Sequence, residues 1–483
     1  MELKHLIALT LLVVAATGGL FVTVYWQRSR DIAFFFLVSA AVVTDRLDVP
    51  FFSMEWYRGT TRGIEISLLD VLAFCLLAST WLAPRYRGPR AYWPLGLGLM
   101  LLFCFYAAFS VLHSQPHLYG WFELTKIARG ILVFLAAAMF VRTRRELQVL
   151  ALALACAVGL EGILVLREQY FEHAYRVTGT LGHPNSLSMY LCTATPVVAA
   201  AIACDFPPWL RRFCLGAVGL AGVAVLLTIS RAGLPIFAAV ITGVTAWSVS
   251  WRLTWRKVVI GVVLVGGLAF FVHRYWDELA QRYQQDSLAE EYLDDSSTTA
   301  EGRGVYLRWA RAIVHDHFFG VGLNNWSYAV AKTYGPRIGF TFEDYDDLEH
   351  IALTREVMPD LYLPAPAHNL AALTIGELGV PGLVIFALLW ARWFFAAAGF
   401  LRWRRDPDPM RTIGMGIFFA IAGIFMQSVT EWTYRQTAIF FTFNILLGTL
   451  ASLKRPPLAE PASEEITVRE LEAEPTLVLQ GQT

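Results

Sequence analysis

A histidine at the edge of an apolar segment can take a proton from an alcohol near neutral pH. Pro366-Ala367-His368-Asn369-Leu370 places His368 at such an edge, and Glu377 follows within the apolar run after it. A carboxylate buried there needs a partner. Ser230-Arg231-Ala232-Gly233 puts Arg231 in a very tight turn between two apolar segments. Its planar guanidinium fork suits the oxygens of a phosphate. It also suits snorkelling to lipid headgroups. Gly302-Arg303-Gly304 precedes a stretch with helical spacing, and a helix start favours anions. Glycines on both sides of Arg303 would let the backbone approach a diphosphate. Gly179-Thr180-Leu181-Gly182-His183-Pro184-Asn185-Ser186 reads as a helix start in which Pro184, Asn185 and Ser186 serve as caps. Capping does not account for His183. Glu431 and Arg435 lie between two late apolar segments. They are either further polar candidates or a simple i,i+4 ion pair. The chemistry these residue types suit is acid–base transfer beside a bound anion.

The background that holds them is apolar. Of 483 residues, 16% are charged and 56% are hydrophobic. Soluble domains carry about 25% charged residues. Mean hydropathy is +0.50. These values exclude a soluble globular enzyme, a disordered chain and a disulfide-stapled secreted domain, and they indicate an all-α polytopic membrane protein. Lys+Arg and Asp+Glu both number 39, so overall charge gives no support for binding a polyanion such as nucleic acid. The six cysteines (Cys75, Cys104, Cys156, Cys192, Cys204 and Cys214) lie in or beside apolar segments and form no CxxC pair. HExxH, GxxxxGK[ST] and GxSxG motifs are absent. An activated substrate or an ion gradient must therefore supply the energy.

About 13 segments are long and apolar enough to cross roughly 30 Å of hydrocarbon. They are 5–24, 32–50, 64–83, 92–112, 122–141, 147–166, 187–204, 213–229, 233–249, 257–273, 370–401, 411–428 and 436–453. The second contains Asp45, Arg46 and Asp48, so its apolar run is short. Basic residues gather in alternate connections: Arg85, Arg87 and Arg90; Arg142, Arg144 and Arg145; Arg211 and Arg212; Arg252, Arg256 and Lys257; Arg402, Arg404, Arg405 and Arg411; Lys454 and Arg455. The positive-inside rule makes these cytoplasmic and turns His183, Arg231 and His368 outward. The first segment lacks a small-residue cleavage site and reads as a retained span.

Four regions follow: membrane helices over 1–273, a large outer loop over 274–369, membrane helices over 370–453, and a glutamate-rich, disordered cytoplasmic tail over 454–483. Within the outer loop, Val305, Trp309, Ala312 and Ile313 have the spacing of an amphipathic helix packed on the membrane body. Gly320-Val321-Gly322-Leu323-Asn324-Asn325 reads as a turn. Glu343, Asp344, Asp346, Asp347, Glu349 and His350 read as a solvated acidic surface rather than a cation site.

Taken together, His183-Pro184-Asn185, Ser230-Arg231-Ala232-Gly233, the Arg303 to Trp309 helix, Gly320-Val321-Gly322 and His368-Asn369 through Glu377-Leu378-Gly379 to Gly382 resemble the O-antigen ligase/polymerase superfamily over roughly residues 175–390. The resemblance implies a GT-C-like helical fold of about 12–13 spans. It implies a bacterial inner-membrane glycosyltransferase whose site faces the periplasm. The donor would be an undecaprenyl-diphosphate-linked glycan and the acceptor a glycan or lipid A-core hydroxyl. Transfer would be inverting and independent of metal or other cofactor. Arg231 and Arg303 would hold the donor diphosphate and His368 would act on the acceptor hydroxyl. His183, Asn185, Ser230, Asn369, Glu377, Arg308 and Glu431 would line the substrate site. Ligation, polymerisation and transfer to protein remain open, with the first two favoured. A lipid-linked-sugar transporter or flippase is the reading from another class. It would place polar residues near the bilayer midplane on broken helices.

Overall fold

The computed structural model describes residues 3–83, 92–248, 304–342, 363–401 and 408–455, with scattered positions between 255 and 280. The candidate span 257–273, Arg303, the acidic stretch 343–350 and the tail beyond 455 lie outside that description, wholly or for the most part. The described chain is a helical membrane body. Six helices are long and apolar enough to cross a membrane, and four shorter apolar ones accompany them.

With the remaining main helices, the chain order is α1 (Leu3–Tyr25), α2 (Gln27–Ser39), the single turn α3 (Thr44–Leu47), α4 (Leu68–Leu82), α5 (Leu97–His113), α6 (His117–Phe140), α7 (Arg144–Tyr170), α8 (Pro184–Ala203), α9 (Pro208–Leu227), α10 (Gly233–Ser248), α11 (Gly304–Asp316), α12 (Leu370–Ala398), α13 (Pro409–Gln427) and α14 (Thr437–Leu453). Two predicted segments change: 32–50 does not form one helix, and 64–83 is helical only over Leu68–Leu82. The run expected to span 32–50 is instead α2, a 3₁₀ turn over 40–43 and α3, followed by a strand that starts at Asp48. Strands β1 (Asp48–Ser53) and β2 (Gly63–Ser67) form an antiparallel hairpin, the only sheet among the described residues. Asp45, Arg46, Asp48 and Pro50 interrupt the apolar helical run, and the β-branched Val49, Ile64 and Ile66 suit the strands that replace it.

Helix α8 lies at the centre, packed against α7, α9, α10 and α13. Small residues let the backbones approach. A Cβ at Gly416 of α13 would meet Ala200 of α8 at 2.8 Å. One at Gly448 of α14 would meet the Phe134 carbonyl of α6 at 2.3 Å. Such contacts hold helices together where lipid removes the hydrophobic drive.

The alternation of helices sorts their ends. The C-terminal ends of α7, α9 and α13 lie with the N-terminal ends of α8, α10, α12 and α14. Arg144, Arg145, Arg211 and Lys454 mark the opposite end, where Arg145 pairs with Asp31 of α2 at 2.7 Å.

Helix α12 is broken where the outer segment meets it. Gly379 has φ 67° and ψ −170°, a conformation that side-chain-bearing residues avoid, and Pro381 follows. Segment 317–323 fills the break. Val321 N–H donates to the Gly376 carbonyl at 3.0 Å and Gly322 N–H to the Glu377 carbonyl at 2.8 Å. Val380 N–H donates to the Phe318 carbonyl at 3.0 Å. Tyr106 OH donates to the Leu378 carbonyl at 2.8 Å. The Gly376, Glu377 and Leu378 carbonyls and the Val380 N–H at the break thus have partners, as burial requires.

Candidate functional site

The polar residues at the end opposite Arg144 and Arg145 fall into two connected networks. The outer one centres on Glu431, in the turn between α13 and α14. One of its carboxylate oxygens meets His368 Nδ1 at 2.6 Å. The other accepts from Asn185 Nδ2 at 2.9 Å. Asn185 Oδ1 accepts from Arg176 Nη2 at 3.2 Å and from Ser230 Oγ at 3.3 Å. Arg176 Nε also donates to the Thr228 carbonyl at 3.0 Å. The side chains of Glu431 and His368 are 7% and 32% exposed, so the carboxylate is inside and the imidazole reaches the surface. The ring of Tyr306 from α11 lies 5.5 Å from that of His368.

Local structure fixes each member. Asn369 caps α12 by accepting from Ala372 N–H at 2.9 Å, and its Nδ2 donates to the Val429 carbonyl at 2.9 Å. This ties the segment that carries His368 to the Glu431 turn. His183 caps α8 through Nδ1, which accepts from Asn185 N–H at 3.2 Å. Loss of water around its ring pushes the His183 pKa below the usual imidazole value; Glu431 opposes the shift, and Arg176 and His368 add to it. The loop before His183 is held by carboxylates: Glu168 accepts from Thr178 N–H at 2.6 Å and Glu161 from Thr180 N–H at 2.9 Å. Ser230 Oγ accepts from Gly233 N–H at 3.2 Å, closing the turn that carries Arg231. A cleft open to solvent, about 420 Å³, is lined by Arg176, Asn185, Ser230, Arg231 and Glu431.

The second network lies deeper. Arg435 Nε donates to Glu123 at 3.0 Å and Nη2 to Thr60 Oγ1 at 3.0 Å, while Nη1 donates to Glu377. Lys126 pairs with Glu123 at 2.8 Å. Glu377 also accepts from Asn324 N–H at 2.9 Å. Asn324 Oδ1 accepts from Thr60 N–H at 2.8 Å, so the β1–β2 connection joins the network.

The structure therefore brings His183, Asn185, Ser230, Arg231, His368, Asn369 and Glu431 to one end of the helical body. It places Glu377 below them, 1% exposed, against Arg435. Arg308 lies partly buried on α11, two residues beyond Tyr306. Arg303 falls outside the described residues. Glu431 and Arg435 do not pair with each other, contrary to the i,i+4 reading. The chain between them bends into a 3₁₀ turn over Thr433–Arg435, so their side chains part to different networks. Arg176, Glu123, Lys126 and Thr60 were not singled out in the sequence, and Asn324 was read only as part of a turn. Glu123 and Lys126 did carry a signal, as two charges within an apolar segment.

Fold and site together define an all-α, multi-pass membrane protein with a polar cleft at one face, one of whose lining residues, Glu431, pairs with His368. Residues 216–387 match the family model described as O-antigen ligase, which supports the O-antigen ligase/polymerase superfamily. The matched stretch runs from within α9 into α12. It contains Ser230, Arg231 and His368 and stops short of Asn185 on one side and Glu431 on the other. Among curated proteins, no sequence matches the chain.

Proposed function

We propose that this protein is a glycosyltransferase of the bacterial inner membrane that moves a glycan from undecaprenyl diphosphate to an acceptor hydroxyl, as an O-antigen ligase or polymerase. The observation that carries the reading is the His368–Glu431 pair, joined through Asn185 to a cleft lined by Arg231. The site sits at the end opposite Arg144, Arg211 and Lys454, which the positive-inside rule assigns to the cytoplasm. It therefore faces the periplasm.

In the reaction, the acceptor oxygen attacks the anomeric carbon as the bond from that carbon to the diphosphate oxygen breaks. Glu431 accepts from Nδ1–H of His368, which leaves the Nε2 lone pair to receive the hydroxyl proton. The carboxylate steadies the imidazolium that forms. Attack opposite the leaving group inverts the anomeric centre. Arg231 and Arg303 hold the diphosphate and stabilise charge on departing undecaprenyl diphosphate, each by a few kcal/mol. His183, Asn185, Ser230, Asn369 and Arg308 shape the surrounding surface. The guanidinium groups supply the positive charge that a divalent cation supplies elsewhere, so transfer is metal-independent. A chelator added to purified protein is expected to leave the rate unchanged.

His368→Ala, Arg231→Ala and Arg303→Ala should each abolish glycan transfer while the protein stays at normal levels in the membrane. Normal product from any of the three would remove that residue from the reaction. Deleting the gene separates ligase from polymerase: polymer left on the lipid carrier marks a ligase, and single repeat units mark a polymerase.

A further inference from the structure

The deeper network contains four ionisable groups in an apolar interior: Glu123, Lys126, Glu377 and Arg435. Apolar packing of the same volume is often as stable as a buried ion pair, so stability alone is a poor reason for such a cluster. Its placement offers another. Arg435 and Glu431 belong to one short turn between α13 and α14. Glu431 reaches His368, just ahead of α12, and Arg435 reaches Glu377, about two turns further along α12. The turn thus grips the same helix at two heights. The lower grip is multiply fixed: the guanidinium bridges Glu123 of α6, Glu377 of α12 and Thr60 of the β1–β2 connection. The Arg435 carbonyl accepts from Lys126 Nζ at 2.8 Å. Between the grips, Thr433 Oγ1 donates to Met189 Sδ at 3.0 Å, and Glu431 N–H donates to the Gln427 carbonyl at 2.9 Å.

We propose that Arg435 is a positioning residue, clamping the α13–α14 turn to α12 through Glu377 so that the Glu431 carboxylate is held against His368. The inference rests on His368 acting as the base. Displacing a positioned group by about 1 Å can cost on the order of 10²-fold in rate. Arg435→Lys keeps the charge but cannot span three partners, since lysine presents a point charge on a flexible stem.

The test uses the full-length protein reconstituted in lipid vesicles with an undecaprenyl-diphosphate-linked glycan and its acceptor. Arg435→Lys is expected to lower kcat about 10²-fold, with the donor KM changed less than about threefold. It should move the pH dependence of kcat in the same direction as Glu431→Gln. In a Glu431→Gln background, Arg435→Lys should cost nothing further, because residues that act as a unit are non-additive. Thr60→Ala removes one anchor without removing a charge. It should lower kcat a few-fold, again only when Glu431 is present, and it carries the test if Arg435→Lys does not fold. Full additivity with Glu431→Gln, or a wild-type rate in a folded Arg435→Lys protein, overturns the proposal. Full transfer by His368→Ala overturns the parent reading and this one with it. Additivity while His368→Ala is inactive overturns this one alone.

Discussion

Asn185 shows how much one short side chain can organise. Its carbonyl oxygen accepts from Arg176 and Ser230, and its amide nitrogen donates to Glu431. Replacing it by leucine leaves the Glu431 oxygen and the Arg176 guanidinium each short of a partner, and unmet polar groups are costly when buried. Asn185→Leu should therefore slow transfer by roughly tenfold or more while the protein still folds, measured as kcat in vesicles. Arg231→Lys keeps the charge and loses the fork. If Arg231 holds a diphosphate, the donor KM should rise by about tenfold, more than kcat falls. His183 bears on stability. Its folded pKa lies below its ordinary value, so the folded state binds fewer protons than the unfolded one as pH falls through that range. Stability supplied by neutral His183 is present above the ordinary imidazole pKa and is lost as pH drops through the lowered one. His183→Gln should flatten this part of the thermal-unfolding profile on the acid side of neutrality.

The break in α12 is the element on which the site's depth depends. An unbroken helix would leave segment 317–323 outside and Glu377 without the Asn324 N–H. Two glycines make the insertion possible. A Cβ at Gly379 would meet the Phe318 carbonyl at 2.1 Å, and one at Gly320 would meet the Glu377 carbonyl at 2.3 Å. Both also have positive φ. Gly379→Ala is expected to destabilise the protein by about 2 kcal/mol or more, read as a lower unfolding midpoint in detergent. An unchanged midpoint would mean that the two segments do not interlock in this way. Helix α11 matches its sequence pattern: Val305, Trp309 and Ile313 are buried, Ala312 is partly buried, and Ala310 joins them against α12. That packing sets Tyr306 beside His368.

The alternating helices put Glu172 and Asp205 at opposite ends of the body. Both are exposed. In a protein with its native cysteines replaced, Glu172→Cys should react with a membrane-impermeant maleimide in cells whose inner membrane is intact. Asp205→Cys should react only after that membrane is permeabilised. The reverse pattern would turn the cleft toward the cytoplasm and end the proposed use of a donor presented in the outer leaflet.

The helical membrane architecture was legible because lipid leaves few choices: a long apolar run must satisfy its own backbone, and helices do so from local sequence alone. The start of α8 at Pro184 was legible for the same reason, since capping acts over a few residues, but its cap is His183, the residue that local reading set apart from capping. Periodicity exposed α11, and residue type marked Arg231 and His368. The hairpin at 48–67 was not legible, because it begins within the run 32–50 and ends within the run 64–83, which both read as spans. Nor were the partners. Glu431 is 63 residues from His368 and 246 from Asn185, and Arg435 lies 312 from Glu123. Sequence spacing offered Glu431 and Arg435 to each other. Only the fold, by bending the chain between them, sent one to the imidazole and the other into the interior. Charges find partners in space, and no local rule of sequence records which helices will be neighbours.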